Sequence, residues 1–413
     1  MNRSALISVG NELLCGRTVD TNAAWLGGRL FAMGVRTASV HLVADETADI
    51  VAALQAAAGQ ADIVLVTGGL GPTDDDLTRN ALAEYLGVEL EYHPELAGRI
   101  EAFFSTRGLS MPARNRTQAY VPKGAEPIDN PCGTAPGILY QTEHKLIALM
   151  PGVPSEMKAM CEASVLPQIR RRLGGPVIRS ANLRCYGAGE SSIAQMLGDR
   201  MRRGRNPLIN CTISAGIITL QMIASAPNER QAEFLLAEQR AELEKILGPL
   251  VFGTGEQTLQ DVLGRLLSAQ NKTLAVAESC TGGLVSKLLT DVPGASQYFN
   301  FGWVTYSNKA KIEQLGVCTD LIEQFGAVSE PVAKAMAQGA ARKARADCAI
   351  AITGIAGPSG QTEQKTVGLV YISVLNNEKC QVHRFHFPNA GRELVRLRAA
   401  QTALNLLRLE LTI

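Results

Sequence analysis

The chain has no apolar run approaching the roughly 20 residues needed to cross a bilayer, no long polar tract, and no two cysteines at C-x-x-C spacing. The first absence excludes a helical membrane span and the second a large disordered region. Nine cysteines, an odd number spread over positions 15, 132, 161, 185, 211, 280, 318, 348 and 380, argue against a disulfide framework or a zinc site and suit reduced thiols. Net charge is nearly absent as well. Forty basic and 39 acidic residues leave +1, which supplies no global field for gathering nucleic acid or an anionic membrane. The start, Met1 to Gly10, has too short an apolar run for a secretion signal and reads as a first strand. A cytoplasmic protein with neither nucleic-acid nor membrane partner is expected.

What is present is 413 residues, 46% of them hydrophobic, more than one core usually holds, so two or three domains are expected. From the start, strand-like runs alternate with amphipathic segments: 5–9, helix 22–33, 37–43, helix 48–58, 63–67. That is the pattern of a parallel α/β sheet. The last run enters Gly68-Gly69-Leu70-Gly71-Pro72-Thr73-Asp74-Asp75-Asp76. Glycines at the end of a buried strand let backbone amides approach a phosphate, and the aspartates beside them suit a bound cation. Glu12 and Asp20, after the first strand, could reach a metal or a ribose, although Asp20 is equally an N-cap.

Beyond residue 176 the order becomes βαββαβ, that of a small α+β domain, ferredoxin-like or similar to a KH module. Its basic run, Arg200, Arg202, Arg203 and Arg205, invites an RNA reading. The absence of a G-x-x-G loop and of aromatic stacking partners favours a solvated helix end instead.

The carboxy-terminal third carries Ala277-Glu278-Ser279-Cys280-Thr281-Gly282-Gly283 between an apolar strand and a helix. A small nucleophile against helix N–H groups can attack a carbonyl whose oxyanion those groups hold. A serine needs a base. The domain's histidines, His383 and His386, alternate with apolar residues as strand side chains do. A buried lysine can serve in their place, with a tyrosine to orient it, and Tyr306, Lys309 and Lys311 follow the next strand. Thr353, Gly354, Ala356 and Gly357 end a buried strand with small residues, and Arg392 opens the last helix with fixed positive charge.

The segments GNELLCG, TGGLGPTDDDLT, NPCGTAPG and MPGVPSEMK, followed by AESCTGG, VTYSNKAK, GAVSEPVA and ITGIAGPSG, resemble the CinA family over nearly the whole chain. The resemblance implies a molybdopterin-binding-like parallel-sheet domain over residues 1–170, the small α+β domain over 175–255, and an α/β amidase domain over 256–413. It implies metal-dependent ADP-ribose pyrophosphatase activity for the first. Gly68, Gly69, Gly71 and Thr73 would hold phosphate; Asp75, Asp76, Glu12 and Asp20 would hold a divalent cation such as Mg. Asp20 stands where many members have Asn.

For the last domain, similar to stand-alone nicotinamide-nucleotide amidases, the resemblance selects Ser279 as nucleophile, Lys311 as base and Tyr306 as its orienter. No cofactor is implied there. The amides of Cys280, Thr281, Gly282 and Gly283 would hold the oxyanion, and Thr353, Gly354, Ala356, Gly357 and Arg392 the substrate, nicotinamide mononucleotide. Gln361 and Thr366 depart from the family pattern. By analogy with the family a homodimer is expected.

Overall fold

The computed structural model describes residues 3–173, 177–387 and 391–412. The expected start of the middle domain, at residue 175, lies outside them. The chain divides into two compact units, Met1–Arg179 with Ser225–Ala232, and Ser180–Ala224 with Glu233–Ile413. No helix among the described residues is long and apolar enough to cross a membrane.

The first unit is an α/β layer structure. Its six-stranded sheet runs Arg36–Val43, Arg3–Val9, Ile63–Thr67, Leu146–Met150, Gly137–Gln141, Glu126–Ile128. The first four strands are parallel, and the last two antiparallel. Alternation serves both faces. Ala5, Ile7 and Val9 join Val64 and Val66 in one core, while Leu6, Ile63 and Leu65 enter the other, as a period of two requires when helices cover both sides.

In the second unit a four-stranded sheet, ordered Leu208–Ser214, Ile217–Ala226, Val177–Cys185, Val251–Thr254, carries the βαββαβ pattern. Of its basic run, Arg200 pairs with Glu242 and Arg202 with Asp199, and Arg203 donates to Asn210, so these arginines are spent on the protein itself. Tyr186 and Phe252 enter the core of the carboxy-terminal domain. Arg408, buried on the last helix, Arg392–Thr412, donates to the Pro249 and Val251 carbonyls at 2.6 and 3.3 Å.

The remaining five-stranded sheet is ordered Phe299–Val304, Leu274–Glu278, Cys348–Gly354, Leu369–Asn376, Lys379–His386. The first three strands are parallel, and Leu369–Asn376 runs antiparallel to both its neighbours. Leu274, Val276, Ile350 and Ile352 face the helices Leu259–Ala269 and Arg392–Thr412. On the opposite face Ala275, Ala277, Ala349 and Ala351 are small, and they admit the alanine-rich helix Glu330–Ala344.

Candidate active site

Ser279 stands at the end of the strand Leu274–Glu278, in the middle of the parallel part of its sheet, and the turn 279–283 leads into helix Leu284–Thr290. Gly282 and Gly283 take φ of 59° and 93°, a region strained for a side chain. Two anchors hold the turn. The Ser279 N–H donates to the Ile352 carbonyl at 3.0 Å, and Arg396 grips the Thr281 carbonyl through Nε and Nη2 at 3.3 and 2.7 Å.

Lys311 comes from helix Asn308–Leu315, capped by the Ser307 hydroxyl, which accepts from the Ala310 N–H at 3.1 Å. It is 1% exposed. Its Nζ lies 3.0 Å from Ser279 Oγ and 2.9 Å from the Thr305 carbonyl. Burial lowers its pKa from the usual 10.5, with Cys280 acting in the opposite direction, so the neutral amine is more accessible than on a surface lysine. Lys309 instead lies near Glu313 in a largely exposed pair. The Cys280 thiol is buried and pushed up to about 12, chiefly by desolvation, which leaves it protonated and a poor nucleophile near neutrality. His383 and His386 stay on the strand Lys379–His386.

Three expectations are corrected by the geometry. Tyr306 does not orient Lys311: its hydroxyl, on a side chain 59% exposed, accepts from Arg392 Nη2 at 2.9 Å. Arg392 Nη1 donates to the Gly357 carbonyl at 2.8 Å, tying Tyr306 to the 355–358 loop. The Thr353 hydroxyl can meet substrate only as an acceptor, since it donates its proton to the Ala327 carbonyl at 2.8 Å. Gly354 is required by packing, because a Cβ there would meet the Leu369 carbonyl oxygen at 2.8 Å; Ala356 is buried.

The third correction concerns the oxyanion donors. Gly283 N–H is taken by Glu278 Oε2 at 3.0 Å and Gly282 N–H by the Ser279 carbonyl at 3.1 Å. Cys280 and Thr281 amides have no acceptor among the described residues and are the donors that remain. Glu278 is the residue that sequence reading missed. Fully buried, its carboxylate also accepts from the Val285 N–H at 3.0 Å and from the Ser286 N–H and hydroxyl, each at 2.8 Å. It therefore caps helix Leu284–Thr290, whose dipole favours a negative charge at that end. The signal was its place between a buried strand and a glycine turn. At the departures from the family pattern, Thr366 bonds His386 at 3.0 Å, and the Thr362 N–H donates to the Lys365 carbonyl at 2.8 Å.

The first unit holds a second candidate. A cavity of about 410 Å³ lies at the carboxyl ends of Arg3–Val9, Ile63–Thr67 and Leu146–Met150, and Gly68, Gly69, Gly71, Glu12, Asp75 and Asp76 line it with Asp45 and Glu156. This is where strand order reverses, the usual ligand position in such sheets. Thr73 is not on its wall; its N–H and hydroxyl both donate to Asp76 Oδ2, at 2.9 and 2.5 Å.

Asp20 takes its N-cap alternative, Oδ1 accepting from the Ala23 N–H at 2.9 Å at the start of helix Thr21–Ala32, and it is not on the cavity's wall. The glycines also do more than admit an anion. A Cβ on Gly10 would lie 2.5 Å from Glu12, on Gly71 2.4 Å from Asp76, and on Gly133 2.3 Å from Glu156. Their bareness makes room for the pocket's own carboxylates. Asn130 steadies the last pair, donating to Glu156 at 2.7 Å and to the Ala135 carbonyl at 2.9 Å.

Beneath the glycine turn is a buried cation that the sequence did not advertise. Arg79 donates to the Leu70 carbonyl at 3.1 Å, with its pKa lowered to about 10 by burial against the opposing pull of Asp76. An arginine in a helix's first turn reads as surface until the turn is seen to fold over it. Among the described residues no group of three or more His, Cys, Asp or Glu side chains could hold a metal ion. The four expected ligands thus form no cage of their own.

A buried serine–lysine pair at the end of a central strand, a carboxylate-rimmed cavity in a separate unit and a small βαββαβ module between them in sequence define a multidomain α/β protein. Three family models match in turn: the Probable molybdopterin binding domain over residues 5–171, the Damage-inducible protein CinA KH domain over 180–253 and the CinA C-terminal domain over 256–411. A protein of Caldicellulosiruptor saccharolyticus, named for competence-damage induction, is 40% identical over 98% of each chain. One so named from Symbiobacterium thermophilum is 43% identical over 88% of this chain and 86% of that one. A CinA-like protein of Desulfovibrio desulfuricans is 41% identical over 98% of this chain and 95% of the other. The chain belongs to the CinA family.

Proposed function

We propose that the second unit hydrolyses the carboxamide of nicotinamide mononucleotide, releasing ammonia and nicotinic acid mononucleotide. The observation that carries the reading is the 3.0 Å approach of the buried Lys311 Nζ to Ser279 Oγ. Neutral Lys311 takes the Ser279 proton as Oγ attacks the carboxamide carbon, and the oxyanion falls to the Cys280 and Thr281 amides. Lys311 then returns the proton to the departing nitrogen and ammonia leaves. Water, deprotonated by Lys311, hydrolyses the acyl-serine. Arg392, already braced against Tyr306 and Gly357, supplies positive charge for the substrate phosphate.

Ammonia release should vanish in Ser279→Ala and Lys311→Ala and persist in Cys280→Ala. Turnover surviving the loss of Ser279 would remove the mechanism.

For the first unit we propose that the Gly68–Gly71 cavity takes the pyrophosphate of ADP-ribose. A rim of carboxylates repels an anion unless a cation joins them, so a divalent ion shared between substrate phosphate and Asp75 and Asp76 would be required. A second reading is a pterin- or nucleotide-binding module without turnover, since Asp76 is already engaged by Thr73. AMP formation from ADP-ribose with and without Mg decides between them.

A further inference from the structure

A second cavity in the carboxy-terminal unit serves neither site. It measures about 580 Å³ and lies between the turn Gly187–Gly189, the strand carrying Phe385 and the last helix, which contributes Arg398, Thr402 and Asn405. Its volume is in the range of small-molecule sites, and its character follows their pattern of apolar walls with few polar groups.

Phe385 and Phe387 offer one wall. Their rings are stacked on each other, 6.0 Å apart and within 5° of parallel, and make this wall apolar and aromatic. Tyr186 adds a third ring, its hydroxyl already bonded to Thr402 at 2.8 Å and therefore fixed. Arg398 provides the charge. Its Nε is buried with no hydrogen-bond partner, and no carboxylate pairs with it among the described residues. That nitrogen has no accessible surface, so the cavity meets the rest of the guanidinium, a fixed positive charge with which an anionic oxygen would pair. Asn405, 7% exposed, has its carbonyl oxygen taken by Arg408 at 3.0 Å. Among the described lining residues there is no Asp, Glu, His, Lys, Cys or Ser, so nothing there could act as a base or a strong nucleophile.

We propose that this cavity is a non-catalytic binding site for a flat aromatic ring bearing one anionic oxygen group, with the ring against the wall of Phe385 and Phe387 and the anion at the Arg398 guanidinium. A carboxylate and a phosphomonoester share that chemistry. The occupant touches the helix that, two residues before Arg398, holds the Ser279 turn through Arg396, which marks it as an effector position.

The test is calorimetric titration of the full chain carrying Ser279→Ala with 2-naphthoate and with AMP, each beside its neutral counterpart, 2-naphthamide and adenosine. At least one anion should bind more tightly than its neutral partner, and which one does identifies carboxylate or phosphate as the group recognised. Arg398→Gln should weaken that anion about tenfold, the worth of one charge-assisted hydrogen bond, and leave the neutral compound unchanged. Ile213 also lines the cavity and is half exposed, so Ile213→Trp should obstruct the site without unsettling the core and weaken both members of the pair. Equal binding of anion and neutral compound, no binding of any probe, or binding indifferent to both substitutions would overturn the proposal.

Discussion

At the residue scale, the chemistry proposed for the second unit rests on a lysine buried without a counter-charge. Lys311 is buried against a hydroxyl and a carbonyl, so its pKa is lowered and the neutral form becomes available for proton abstraction. The sign follows directly. Protonated lysine cannot accept the serine proton, so kcat/KM for amide hydrolysis should rise with pH through a midpoint below 10.5. Lys311→Arg, which stays charged throughout, should lose that limb together with activity; a pH–rate profile checks both. Ser279 and Lys311 were legible as residue types in a pattern. Glu278 was not, because a carboxylate after a strand ordinarily signals surface, and only the fold shows four donors converging on it. Glu278→Gln turns at least one of those acceptor contacts, that of the Ser286 N–H, into a donor–donor clash and should cost about 1–3 kcal/mol, read from the urea midpoint at constant slope.

At the scale of elements, local rules carried far. The strand 63–67 occupies the range expected from its apolar run and the glycines after it. Others shift by a residue or two, as helix 21–32 does beside the expected 22–33, because ends fray and the final turn is decided by what packs on it. Packing can also reverse a propensity. Gly339 lies inside helix Glu330–Ala344, where alanine would normally gain about 1 kcal/mol. A Cβ there would come within 2.1 Å of the Leu315 carbonyl oxygen, at the end of the helix that carries Lys311. Gly339→Ala should therefore destabilise by about 1–3 kcal/mol, with a lower Tm in thermal unfolding and reduced kcat at unchanged serine chemistry.

For the whole molecule, the two candidate sites belong to separate compact units and share no residue. Ser279→Ala should abolish ammonia release and leave ADP-ribose hydrolysis intact, while Asp76→Asn, which disturbs the bonds from Thr73, should do the reverse; parallel assays of both products on the full chain check the separation. The sequence by itself determined the order of elements, the absence of a helical membrane span and the residue types at each strand end. These depend on composition, on periods of two and 3.6, and on backbone freedom within a few residues. The tertiary structure alone decided which groups are spent and which are free. Tyr306 meets Arg392 across 86 positions, Arg396 meets Thr281 across 115, and Asp20 turns inward to its own helix. A hydrogen-bonding group has few partners to give, and whether a distant residue has already claimed them is a property of the folded chain.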